Sequence, residues 1–232
     1  MYYGMYYELA AARYPAWHLI TRLGEAQVML PATFAVLAWF ALRPNGRALA
    51  GWWFGLMSAA VALTTASKIA FIGYGVGIAG INYTGVSGHS MFAAVVYPLL
   101  FRVLASGSPL RERIALAGGI ALAALVGYSR LVLGAHSLSE VLAGWALGGL
   151  ATAAALWLAR VPAVRLPAWL PLAVFTVVPL LVGSAPPSRS HDIVTRLSLA
   201  ISGRSAPYTR AQMLRDARLR APMRAPDLLA RG

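Results

Sequence analysis

The chain has 232 residues, of which 59% are hydrophobic and only 12% charged, with 20 Lys and Arg against 7 Asp and Glu for a formal net charge of +13. That apolar fraction exceeds what a soluble core of this length can bury, so an ordinary water-soluble globule is excluded and an integral membrane protein is expected. Cysteine is absent, which excludes disulfides and thiolate metal sites and leaves the redox compartment open.

In chain order, residues 1–25 carry Tyr2, Tyr3, Tyr6 and Tyr7 ahead of any charge and lack a basic stretch before an apolar run, so they do not read as a cleaved signal peptide. An interfacial helix is expected there, with the tyrosines and Trp17 at headgroup level. Six apolar stretches follow, at 26–42, 50–72, 89–105, 114–129, 138–159 and 168–184, each near the roughly 20 residues a span requires. The expected fold is therefore all-α, a polytopic transmembrane helix bundle of about six spans over residues 26–184, followed by a basic tail at 185–232. Gly144 with Gly148, and Gly118 with Gly119, read as small-residue packing faces. Trp52 and Trp53 read as interfacial anchors. The tail, Pro-punctuated, holds nine arginines against Asp192, Asp216 and Asp227 and reads as a segment lying on anionic headgroups. No nucleotide-binding glycine pattern is present, and no nucleic-acid partner is expected.

If all six stretches span, the first, third and fifth connections share a face carrying Arg43, Arg47, Arg102, Arg111, Arg113, Arg160 and Arg165 against a single acid, Glu112. The positive-inside rule makes that face cytoplasmic. The second and fourth connections then open on the opposite side, which in a bacterial inner membrane is the periplasm. An even number of spans places the tail on that side as well.

Those two connections hold the polar residues that composition does not explain, and ionisable groups at membrane depth are functional candidates by default. Lys68, the sole lysine, lies at the polar end of a long apolar run; it either snorkels to the interface or points a compact ammonium at an anion. Ser87-Gly88-His89 immediately precede an apolar run, where free backbone N–H groups and the helix dipole favour an anion; Ser87 is equally a plain N-cap. Ser129-Arg130 end the fourth run, and the arginine fork suits phosphate oxygens. His136 and Glu140 are spaced to share a helix face, so that the carboxylate can accept from one imidazole nitrogen and leave the other as nucleophile or base. Ser137 through Glu140 also fit a capping box. His18 and His191 lack companions and read as surface groups.

Taken together, Lys68, Ser87-Gly88-His89, and Ser129-Arg130 with His136 and Glu140 resemble the motifs of the type 2 phosphatidic acid phosphatase (PAP2) superfamily of membrane lipid phosphatases, over about residues 64–150. The resemblance implies that Lys68, Ser87, Gly88, Ser129 and Arg130 bind the phosphoryl group of a lipid phosphate, that His136 attacks phosphorus, that Glu140 orients it, and that His89 is acid and then base. It implies no metal and no cofactor. Polyprenyl pyrophosphate, phosphatidic acid, phosphatidylglycerol phosphate and lipid A phosphates all fit; the alternative is a catalytically inactive relative that binds or transports anionic lipids. Three positions depart from the family pattern: Gly75-Val76 stand where an Arg-Pro pair is usual, Val86 stands where a proline precedes Ser-Gly-His, and Glu140 replaces an aspartate. The missing arginine leads to two expectations. One of Arg189, Arg196, Arg204 or Arg210 caps the phosphate site from the tail, and an arginine placed at Gly75 partly replaces it.

Overall fold

The computed structural model describes residues 13–105, 107–159, 180 and 189–220. Among these, regular structure is helical, apart from one isolated antiparallel bridge between Ile78 and Tyr83. The elements are α1 (Pro15–Arg22), α2 (Ala26–Ala41), α3 (Arg47–Tyr74), a 3-10 turn (Ala79–Ile81), α4 (Gly88–Leu104), α5 (Pro109–Val132), α6 (Leu138–Leu158), α7 (Ser190–Ser202) and α8 (Arg210–Arg220). The first five expected spans thus coincide with α2 to α6, whereas the sixth, 168–184, lies outside the described residues except for Leu180. By length and apolarity α3, α5 and α6 can cross a membrane, and α1 with α2, bent by 46° at a short break, make a fourth if counted as one. The described residues therefore give three or four candidate spans rather than six.

The bundle is organised around α4, which is only 17 residues long and is buried at Ser90, Met91 and every position from Ala93 to Leu100. α5 and α6 run along it, and α2 and α3 touch it. Close approach is set by glycines: a Cβ on Gly148 would lie 2.4 Å from Met91 O, and one on Gly119 would lie 2.5 Å from Tyr97 O. Gly144 and Gly148 are thus the contact face expected of them, while on α5 it is Gly119, not Gly118, that meets the backbone of α4. Pro98 lacks an N–H and so leaves Ala94 C=O without its helical donor. Thr152 of α6 fills that place, its Oγ1 donating to Ala94 O at 2.8 Å, and Trp53 Nε1 of α3 donates to the next carbonyl, Val95 O, at 3.0 Å. Trp53 is consequently fully buried, a core residue and not the interfacial anchor expected; Trp52 is exposed.

The C-terminal ends of α2 and α4 lie at one end of the bundle, and the connections at 75–87 and 133–137 lie at the other. Residues 189–220 dock at this second end. α7 lies along the last turns of α3, so close that a Cβ on Gly73 would meet Ser202 Cβ at 3.0 Å. Tyr208 N–H then donates to Ile72 O at 2.9 Å, its ring stands edge-on to Phe71 at 5.5 Å, and Met213 completes a small buried cluster with Phe71 and Ile72. This part of the basic tail is seated on protein, whereas composition alone suggested a segment resting on headgroups.

Candidate active site

The site forms where α3 ends, α4 begins and α5 turns into α6. α3 stops at Gly75, whose φ of 73° is left-handed, and the chain returns through the 3-10 turn to α4. Ser67 Oγ holds this return by donating to Thr64 O at 2.8 Å and accepting from Val86 N–H at 3.0 Å. Lys68 reaches the N-terminus of α4, where a Cβ on Gly88 would lie 3.6 Å from its Nζ.

Ser87 is fully buried and makes no side-chain cap bond. Its N–H donates to Glu140 O at 3.1 Å and its Oγ accepts from Ser90 Oγ at 2.9 Å, so the plain N-cap alternative is not the arrangement present. His89 follows on α4, with Arg130, His136 and Lys68 all within electrostatic reach. Ser129 is buried and its Oγ donates to Val126 O at 2.5 Å. Arg130 is 8% exposed, and its Nη1 donates to Thr21 Oγ1 of α1 at 2.7 Å. The N-terminal helix is therefore a wall of the site, and Trp17 stands edge-on to Tyr128 of α5 at 5.4 Å. His18 and His191, read from sequence as surface groups, lie within reach of Arg130 and of Lys68 respectively.

At the turn between α5 and α6, His136 Nδ1 and Glu140 Oε2 are 2.7 Å apart. With a carboxylate as partner, Nδ1 carries the proton and Nε2 keeps its lone pair. Burial lowers the pKa of His136 to about 4; the hydrogen bond and charge of Glu140 oppose this, and the cations Arg130 and Lys68 add to it. The imidazole is then neutral near pH 7, the form a nucleophile needs.

Glu140 makes both of the contacts that the sequence offered as alternatives, one to His136 and one that caps α6. Its Oε2 also accepts from Ser137 N–H at 3.1 Å. Its Oε1 accepts from Thr84 N–H at 2.8 Å and from the Thr84 hydroxyl. Arg210 of α8 brings Nη2 to within 2.8 Å of both carboxylate oxygens, and its Nη1 donates to Asn82 O at 3.2 Å and Asn82 Oδ1 at 2.9 Å. Asn82 adopts the left-handed conformation, φ 55°, after the 3-10 turn, which turns both of its oxygens to the same guanidinium. Every group around the fully buried Glu140 side chain is a donor, and only an ionised carboxylate accepts from all of them.

The eight residues nominated from sequence are accordingly gathered at one end of the bundle. Sequence reasoning missed Thr21, Asn82 and Thr84, none of which stands in a motif. It named Arg210 among four tail arginines, but in a different position: Arg210 is bound to Glu140 and Asn82, not set over the mouth as a separate phosphate cap. The expectation for Gly75 also changes. A side chain there meets left-handed backbone strain, and the Tyr208 ring already packs 3.4 Å from its Cβ position, so an arginine at that position is strained and has Tyr208 between it and the site.

The sequence profile of the PAP2 superfamily matches residues 9–162, a wider stretch than the motifs alone covered. An uncharacterized 22.5 kDa protein in the cps region of Klebsiella pneumoniae is 37% identical over 212 residues, 87% of this chain and 99% of that protein. Phosphatidylglycerophosphatase B of Bacillus subtilis (strain 168) is 41% identical over 71 residues, 29% of this chain and 34% of that protein. No solved structure gives a significant match. A profile match across most of the chain, with the motif residues meeting at one mouth of an all-helical bundle, makes this chain a member of the PAP2 superfamily.

Proposed function

We propose that the protein is a membrane-embedded phosphatase that removes phosphate from a lipid phosphomonoester or pyrophosphate by way of a phosphohistidine. The observation that carries this reading is the 2.7 Å contact between His136 Nδ1 and Glu140 Oε2, which leaves Nε2 as the nucleophile beside the cations Lys68 and Arg130. In the first step Nε2 forms the N–P bond as the P–O bond to the lipid breaks, and His89 gives its proton to the departing oxygen. In the second, His89 takes a proton from water, the hydroxide attacks phosphorus, and the P–N bond breaks. Lys68, Arg130, Ser87, Ser129 and the Gly88 backbone N–H balance charge spread over the transferring phosphoryl oxygens.

A site at one end of the helical bundle suits a substrate whose tails stay in lipid. Arg43, Arg47, Arg102, Arg111 and Arg113, at the ends of the helices away from the site, favour that end as the cytoplasmic one, which in a bacterial inner membrane would face the site to the periplasm. The name of the B. subtilis relative puts phosphatidylglycerol phosphate among the substrates to try first. The test is phosphate release in detergent micelles from phosphatidylglycerol phosphate, phosphatidic acid and a polyprenyl pyrophosphate, with and without chelator. Turnover of at least one, lost in His136→Ala, is expected. Binding of these lipids with no phosphate released overturns the reading in favour of an inactive lipid-binding relative.

A further inference from the structure

Resting on the reading of His136 as nucleophile, we propose that Arg210 is a positioning residue of the catalytic centre, delivered by the segment after the bundle, which clamps the Glu140 carboxylate in the orientation that holds His136. One guanidinium nitrogen spans both carboxylate oxygens at 2.8 Å, while the other is anchored by two oxygens of Asn82. Arg210 is thereby fixed at both ends of its fork, and through it Glu140 is fixed against rotation about its last bond. A lysine cannot do this, because a single ammonium lacks the two-sided reach from Asn82 to Glu140. The clamp has its own foundation: Tyr208, two residues earlier, is bonded to Ile72 O and packed on Phe71, and it covers the position where the family pattern would have placed an arginine on α3. This chain thus brings a guanidinium from the far end of its sequence, and directs it to the acid that orients the nucleophile.

The experiment compares full-length Arg210→Gln, Arg210→Lys and Tyr208→Ala with Arg218→Gln, an exposed arginine of α8 as control. Loss of a positioning contact is expected to lower kcat about a hundredfold in the first three with KM within about threefold, as for a displacement of roughly 1 Å at a reacting group. Added methylguanidinium should restore part of the Arg210→Gln rate, which a merely structural role would not allow. A raised KM with kcat retained makes Arg210 a phosphate ligand and overturns the proposal, as does a rate equal to that of the control. Proton NMR of the His136 Nδ1–H in histidine-labelled protein reads the clamp without turnover: the downfield resonance should disappear in Arg210→Gln and persist in Arg218→Gln. Its persistence in both sinks the clamp even if the protein proves to have no phosphatase activity, whereas absent turnover with a clamp-dependent resonance sinks only the assigned reaction.

Discussion

Replacing Glu140 by glutamine removes one charge and inverts one half of a side chain whose two oxygens face donors only. If the amide nitrogen takes the Oε1 place, it opposes Thr84 N–H, the Thr84 hydroxyl and Arg210 Nη2; in the Oε2 place it opposes His136 Nδ1, Ser137 N–H and the same nitrogen. Either way two or three donors lose their acceptor, and the half-buried Arg210 loses its countercharge. Leaving buried donors unsatisfied beside a part-exposed guanidinium costs about 1–3 kcal/mol, which for a chain of this length lowers the melting temperature by about 2–12 °C. The capping function by itself would not predict this, since glutamine serves well at the third position of a capping box. For the rate, loss of the carboxylate that fixes an imidazole tautomer is expected to lower kcat by about 10³- to 10⁴-fold. Both are read on one preparation, by thermal melting in detergent and by phosphate release at saturating lipid phosphate. A glutamine variant within tenfold of the parent rate refutes the orienting role. An unchanged melting temperature refutes the view that Glu140 and Arg210 hold the tail to the bundle.

Glu140→Asp keeps the charge but is one methylene shorter, so measurable turnover is expected together with lower thermal stability, in the same assays. His136→Ala should lower turnover by at least about a thousandfold while leaving melting unchanged within a few degrees; a variant retaining a tenth of the activity defeats the assignment. His89→Ala should slow substrates with poor leaving groups far more than an activated aryl phosphate, and equal losses across such a series exclude it as the general acid. The free-enzyme pH profile follows from the lowered pKa of His136. Protonation removes the nucleophilic lone pair, so kcat/KM should hold on the acid side and fall only as pH drops through about 4, after correction for ionisation of the substrate phosphate. A fall centred near 6.5 would show that burial does not govern this histidine. Gly148→Ala should cost about 1–3 kcal/mol in unfolding measurements, because the new methyl sits 2.4 Å from Met91 O.

Hydropathy located the helices because burial in lipid or protein makes the same demand on every residue of a span. It marked their ends less well: α5 starts at Pro109 and includes Arg111 and Arg113, polar residues that helical hydrogen bonding tolerates at a helix end but that an apolar count leaves out. Trp53 was misplaced for a related reason. An indole at a span end is equally suited to headgroups or to a carbonyl, and nothing near Trp53 in the sequence points to Val95 O, 42 residues away, as its acceptor. Within the site, the His136 to Glu140 spacing was legible because it is local. The partners of Glu140 on Thr84 and Arg210 lie 56 and 70 residues away, and nothing in nine tail arginines distinguishes the one that lands on a carboxylate.

The 70 residues between Glu140 and Arg210 also impose an order in time. At roughly 5–20 residues per second, synthesis of that stretch takes about 4–14 s, and for that interval the carboxylate has its neighbours on Thr84, His136 and Ser137 but not the Arg210 guanidinium. The nascent bundle therefore holds a carboxylate with most of its donors in place, and the arrival of α8 adds the guanidinium that bridges its two oxygens. Insertion of α3 to α6 and completion of the hydrogen-bonded shell around Glu140 are separate events, with the second waiting on a segment made well after α6 has been laid down.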